Sequence, residues 1–137
     1  MAERPEAAIE RDEDRRLALV LGGGGGRGGA HLGVLATLQA LGLPNDLLVG
    51  TSIGGVIGVL HAAGCSPAAV AAAFDGKTLW DIYGPDPGGA GLIGSRHLRA
   101  LLDGLLGGRT FADLAIPCAV VATDLVTGRT AVFDRGP

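Results

Sequence analysis

A chain of 137 residues with 47% hydrophobic side chains and a mean hydropathy of +0.39 is a folded domain rather than a disordered segment, and it is long enough for one core only. A formal charge of −3, without a basic run, excludes a nucleic-acid footprint. Cys65 and Cys118 have neither CxxC nor metal-ligand spacing, so two reduced, buried thiols are expected, with no disulfide scaffold and no metal site. The N-terminus is charged and no apolar run approaches about 18 residues, so no signal peptide or spanning helix is visible and a cytoplasmic location is expected.

Residues 1–16 hold six acids, four arginines and no apolar stripe, which makes them a charged, flexible leader and residues 17–137 the domain. Leu17 to Leu21 is a continuous apolar run bounded by glycine, the pattern of a central parallel strand covered on both faces. A glycine loop, Gly22 to Gly29 interrupted by Arg27, leads into a helix predicted over Ala30 to Leu41, with Leu32, Leu35, Leu38 and Leu41 on one side. Gly42 and Pro44 stop it. Leu47 to Val49 is the next strand, and the βαβ order predicts parallel strands joined by a right-handed crossover. Both special loops then leave the carboxyl ends of parallel strands and face each other, where α/β sites form.

A second helix is predicted from Ile53 to Ala63, and a third starts at the capped pair Ser66-Pro67 and runs to Phe74. One or two turns follow around Leu79, Trp80 and Ile82, with Trp80 as a core plug, before a Pro/Gly loop from Gly84 to Gly94. Ser95 is the predicted cap of a helix over Arg96 to Leu106 that carries Leu98, Leu101, Leu102 and Leu105 on one face. Thr110 and Asp113 have capping-box spacing, Cys118 to Thr123 is a strand, and Val126-Thr127-Gly128 turns the chain into Arg129 to Phe133.

Gly50-Thr51-Ser52-Ile53-Gly54 sets one hydroxyl between a short strand and a small-residue helix, the GxSxG nucleophile-elbow pattern. Three fixed residues are weak alone in a chain with 25 glycines, so the flanking strand and helix carry the assignment of Ser52 as nucleophile. The opposing run Gly23-Gly24-Gly25-Gly26-Arg27-Gly28 contains GxGxxG, which is also a dinucleotide fingerprint. Against that use, no acid ends the second strand, Asp46 precedes it, and Ser52 stands where the ribose partner belongs. The other use is an oxyanion hole of successive backbone N–H groups, one such donor being worth about 3 kcal/mol. No histidine completes a triad. His61 lies nine residues along the Ser52 helix, about 13 Å away by helical rise, while His31 and His97 are expected to be structural or solvent-facing.

Leu19-Val20-Leu21 with the glycine loop, His31-Leu32-Gly33-Val34-Leu35 and Gly50-Thr51-Ser52-Ile53-Gly54-Gly55 closely resemble the start of patatin-like phospholipases. Gly91-Leu92-Ile93, and Ile116-Pro117 running into Ala122-Thr123-Asp124-Leu125, look like the middle of bacterial members, and extra glycine at positions 22, 26 and 29 is the main departure. The resemblance implies an α/β fold, three-layer α/β/α with a mainly parallel central sheet, incomplete at the C-terminus. It implies a lipid acyl hydrolase with a Ser-Asp dyad, no cofactor and peripheral membrane contact. By it Ser52 is the nucleophile, Gly24, Gly25, Gly26 and Arg27 give oxyanion-hole amides, and Gly23, Gly28, Gly50 and Gly54 are motif glycines. The Arg27 side chain braces the loop, faces a phosphate head group, or is a surface arginine. The family's base, an aspartate in a DG[GA] motif, lies downstream of this region, so the chain is expected to be the N-terminal part of the domain and nearly inactive alone. Asp75 and Asp124 are poor substitutes for that base. The alternatives are a non-catalytic lipid-binding or regulatory module and, behind it, a nucleotide-binding domain.

Overall fold

The computed structural model describes residues 16–84 and 94–137. The leader, apart from Arg16, and most of the Pro/Gly loop, with Gly91-Leu92-Ile93, lie outside the described residues, as does any role for the Trp80 side chain. Among the described residues four strands, β1 (Ala18–Leu21), β2 (Leu47–Thr51), β3 (Cys118–Thr123) and β4 (Thr130–Phe133), form one sheet in the order β1-β2-β3-β4. The first three are parallel and β4 pairs antiparallel with β3. The α/β class with a mainly parallel sheet is as expected. The place of the first strand is not: β1 stands at the sheet edge with Val20 72% exposed, and β2 takes the central position.

Among the described residues five α-helices intervene: α1 (Gly29–Ala40), α2 (Ile53–Ala62), α3 (Pro67–Phe74), the single turn α4 (Leu79–Ile82) and α5 (Arg96–Leu106). The strands are laid down in one direction, and successive crossovers of one hand put their helices on one face. Side chains from β1, α1, α2 and α3 accordingly meet in one core, Leu21, Leu35, Ile57, Leu60 and Val70, with Leu102, Leu105 and Leu106 of α5 against it. Period-two alternation turns Leu48 and Gly50 of β2 inward, while Val20 and Val132 belong to the face that no described helix covers. Fully burying a leucine such as Leu35 or Leu60 contributes about 1.5–3 kcal/mol, so α1 is held chiefly against α3, and α2 against the sheet.

The helix ends follow their residues. Beyond α1, Gly42 adopts φ +63°, Leu43 N–H donates to Leu38 O at 2.9 Å and Gly42 N–H to Gln39 O at 3.0 Å, a Schellman stop. Leu41, expected on the buried stripe, is 61% exposed, because α1 ends at Ala40 and the stop turns Leu41 away. Ser66 Oγ accepts from Ala69 N–H at 3.1 Å and caps α3. Ser95 makes no such bond for α5; its φ and ψ of −100° and 12° do not aim the hydroxyl back along the helix. The predicted capping box is present over a 3-10 turn at Phe111–Asp113. Cys118 is buried, which pushes its thiol pKa up, whereas Cys65, expected buried, is partly exposed at the turn after α2.

At the β3–β4 hairpin, the Asp124 carboxylate accepts from Thr127 Oγ1 at 2.6 Å and from Val126 N–H at 2.9 Å. These bonds, the threonine hydroxyl first, hold its pKa below the ordinary carboxylate value. A depressed pKa means that the turn is tightened by the carboxylate above the unfolded value of about 3.9 and loosened as pH falls through the lower folded value. Protection of Val126 N–H, its NMR-detected exchange rate relative to the intrinsic rate at the same pH, is therefore expected to hold through neutral and mildly acidic pH and to fall only below the ordinary carboxylate range. Asp124→Asn should remove that pH dependence.

Candidate active site

Ser52 occupies the step from β2 into α2 and is the only non-glycine residue with positive φ among those described, at φ 53° and ψ −130°. A residue bearing a Cβ holds such a conformation only where its surroundings impose it. The imposition is visible on both sides. Thr51 Oγ1 donates to Val121 O at 3.0 Å and ties the end of β2 to β3, while Ser52 O accepts from Gly55 N–H at 2.9 Å and Val56 N–H at 3.2 Å to open α2. A Cβ on Gly50 would stand 2.5 Å from Gly54 O and from Gly55 Cα, and one on Gly54 would collide with the Leu21 carbonyl. The turn is as tight as backbone packing permits, and Ser52 is left exposed at its apex.

The glycine loop stands beside it, as the βαβ order predicts. A Cβ on Gly23 would lie 3.4 Å from Ser52 Cβ and 4.0 Å from its Oγ, and one on Gly28 would strike Ile53. Gly25–Gly28 forms a 3-10 turn whose Arg27 N–H donates to Gly24 O at 3.2 Å. Of the four amides expected to form an anion hole, that of Arg27 is thus engaged in the turn, whereas those of Gly24, Gly25 and Gly26 have no backbone acceptor among the described residues. The N–H groups of Ile53 and Gly54 open α2 and are likewise unpaired there, adding the positive end of a helix to the same spot. Those two donors are not among the amides expected from the sequence, although any helix starting directly behind a serine elbow supplies them.

A cavity of about 360 Å³ opens at Ser52, Gly25 and Gly26 and runs between the helices. Its wall is apolar, with Leu32, Ile57, Phe74, Ile82 and Leu98, and the polar groups Asp75, Lys77 and Tyr83 also line it. That is the size and lining of a small-molecule pocket for a largely apolar ligand. Arg27 is exposed and does not line the cavity.

The other titratable candidates separate clearly. Asp124 has its carboxylate committed to its own turn. Asp75 shares the cavity with Ser52, but Ser52 Oγ has no hydrogen-bond partner among the described residues. Like Asp75-Gly76, Asp103-Gly104 is an Asp-Gly pair, but it lies within α5 and does not line the cavity. Asp46 accepts Leu17 N–H at 2.6 Å at the amino end of β2, away from the loops. His61 Nε2 faces Asn45 Nδ2 at 3.4 Å, and His97 is exposed. His31, expected to be structural or solvent-facing, bonds the glycine loop through Nε2, 2.8 Å from Gly22 O, which is the structural alternative.

A strained serine elbow facing a glycine loop over an apolar cavity narrows the candidates, and comparison with known proteins decides among them. The Patatin-like phospholipase family model matches residues 19–136. The chain belongs to the patatin-like phospholipase family. An NTE family protein of Mycobacterium tuberculosis is 36% identical over 124 residues, covering 89% of this chain and 34% of the relative. Patatin-like phospholipase domain-containing protein 6 of Homo sapiens is 61% identical over 46 residues, 34% of this chain and 3% of that protein. Lysophospholipase nte1 of Aspergillus fumigatus is 56% identical over 48 residues, 35% of this chain and 3% of its own length. The chain therefore spans about a third of the mycobacterial relative. No helix among the described residues of this patatin-like chain is long and apolar enough to cross a membrane.

Proposed function

We propose that the chain carries the nucleophile and anion hole of a serine hydrolase acting on lipid acyl esters. The observation that carries this is Ser52 at φ 53°, exposed beside the unpaired amides of Gly24, Gly25 and Gly26 at the mouth of an apolar cavity. An acyl chain lies along Leu32, Ile57 and Phe74, Ser52 Oγ attacks the ester carbonyl, and its proton passes to a carboxylate base. The developing oxyanion is met by the loop amides and by the first amides of α2. The tetrahedral intermediate collapses with cleavage of the acyl–oxygen bond, the leaving alcohol takes the proton back from the base, and water, activated by the same base, then hydrolyses the acyl-enzyme to release the fatty acid and free Ser52. Ser52 has no base within hydrogen-bond reach among the described residues, so the aspartate of the dyad is assigned to chain beyond them. The enzyme works from the cytoplasm in peripheral contact with the membrane that holds its substrate.

A serine-directed fluorophosphonate tests this. Labelling at Ser52 is expected to be strong in a version that reads on past Pro137 and weak in the 137-residue chain, with Asp75→Asn leaving both unchanged. Absence of labelling in both forms, together with saturable lipid binding, would turn the assignment to a non-catalytic lipid-binding module.

A further inference from the structure

Gly22 to Gly26 are five consecutive residues without side chains, so the loop cannot pin itself by packing, and ordering glycine costs more backbone entropy than ordering any other residue. Whatever holds it must reach in from outside. Among the described residues one side chain does so: His31 Nε2 lies 2.8 Å from Gly22 O. A carbonyl oxygen only accepts, so Nε2 carries the proton and donates. His31 sits in the first turn of α1, half-buried, with its ring turned back toward the loop as helical side chains turn toward the N-terminus. The same carbonyl abuts α2, since a Cβ on Gly54 would stand 2.6 Å from Gly22 O.

Peptide planarity carries the effect one residue further. Gly22 C=O and Gly23 N–H belong to one plane and point opposite ways, so a carbonyl held by the ring fixes the direction of the next N–H. Gly23 is the loop residue in contact range of the nucleophile, 3.4 Å from Ser52 Cβ by the Cβ it lacks.

We propose that His31 is a positioning residue: its ring N–H locks the Gly22–Gly23 peptide plane and so holds the loop amides in register with Ser52. This rests on the acyl-hydrolase assignment above. It also separates His31 from a general base, because Nε2 bears a proton in both the neutral tautomer that makes this bond and the imidazolium. Loss of the bond should therefore slow the reaction equally at every pH.

The decisive variant is His31→Phe, which keeps a ring in place and removes the donor, with His31→Gln as a donor-retaining companion. In His31→Phe the amide resonances of Gly22–Gly26 are expected to broaden and exchange faster at an unchanged melting temperature, and Ser52 labelling to slow by about 10- to 100-fold with no change in its pH profile. His31→Gln should recover most of both, and it carries the test if the phenylalanine variant does not fold. Loop amides or labelling rates in His31→Phe that match the parent overturn the proposal. Loosened amides with no labelling of any parent form remove the hydrolase assignment and leave His31 as the peg of the loop.

Discussion

Replacing Ser52 with glycine is expected to abolish fluorophosphonate labelling and, at the same time, to stabilise the fold. At φ 53° and ψ −130° Ser52 lies in a basin that glycine enters freely and that costs a residue with a Cβ about 1–3 kcal/mol. The gain is partly offset, because glycine makes the unfolded chain more flexible by about 0.5–1 kcal/mol. The net is a stabilisation of about 1 kcal/mol, or about 3 °C in melting temperature for a domain of this size. No buried polar partner is orphaned by the change, since Ser52 Oγ bonds to nothing among the described residues. Ser52→Ala separates the two effects: it loses the hydroxyl and keeps the strain, so labelling should vanish with no comparable rise in melting temperature. A glycine variant that melts no higher than the alanine variant would show that no strain is stored at this turn.

The same turn shows what could be read from residue order and what could not. Strand, glycine loop, helix, strand and GxSxG follow one another at short spacing, and a βαβ unit leaves little choice but to put the two loops at one sheet edge. That much needs only local pattern and chain connectivity. The edge position of β1 was hidden, because an apolar run such as Leu17 to Leu21 reads alike whether one face or both are covered, and only the direction of winding tells them apart. The role of His31 was hidden for another reason. A histidine nine residues from Gly22 meets its carbonyl only after the loop has folded back on α1, and five glycines give no side-chain signal of how they fold. Likewise the Thr127–Asp124 pairing that occupies one candidate base depends on hairpin geometry, not on spacing to Ser52.

Gly54 and Gly58 lie four residues apart on α2, both buried, and alanine is expected to act on them in opposite directions. At Gly58 the added Cβ would meet Leu21 Cδ1 at 3.6 Å, an ordinary contact with the end of a flexible side chain. Gly58→Ala should therefore show the usual helix gain of up to about 1 kcal/mol. At Gly54 the Cβ would collide with the Leu21 carbonyl and stand 2.6 Å from Gly22 O, so the obstacle is backbone on a neighbouring strand and no rotamer relieves it. Accommodating it requires α2 to back away from β1, which also draws Ser52 away from the loop amides. Overpacking of this kind costs about 3 kcal/mol, roughly 9 °C in melting temperature. In the molecules that remain folded, a displacement of about 1 Å at the elbow should slow labelling by about 100-fold. The two losses are read separately, by thermal melts and by labelling rate on folded protein below the melting temperature. The second glycine of GxSxG is then explained by the closeness of two backbones: it lets a helix start near enough to β1 for the proposed nucleophile on one strand and the proposed anion hole on the next to share one substrate carbonyl. Equal melting temperatures for the two alanine variants would overturn that account.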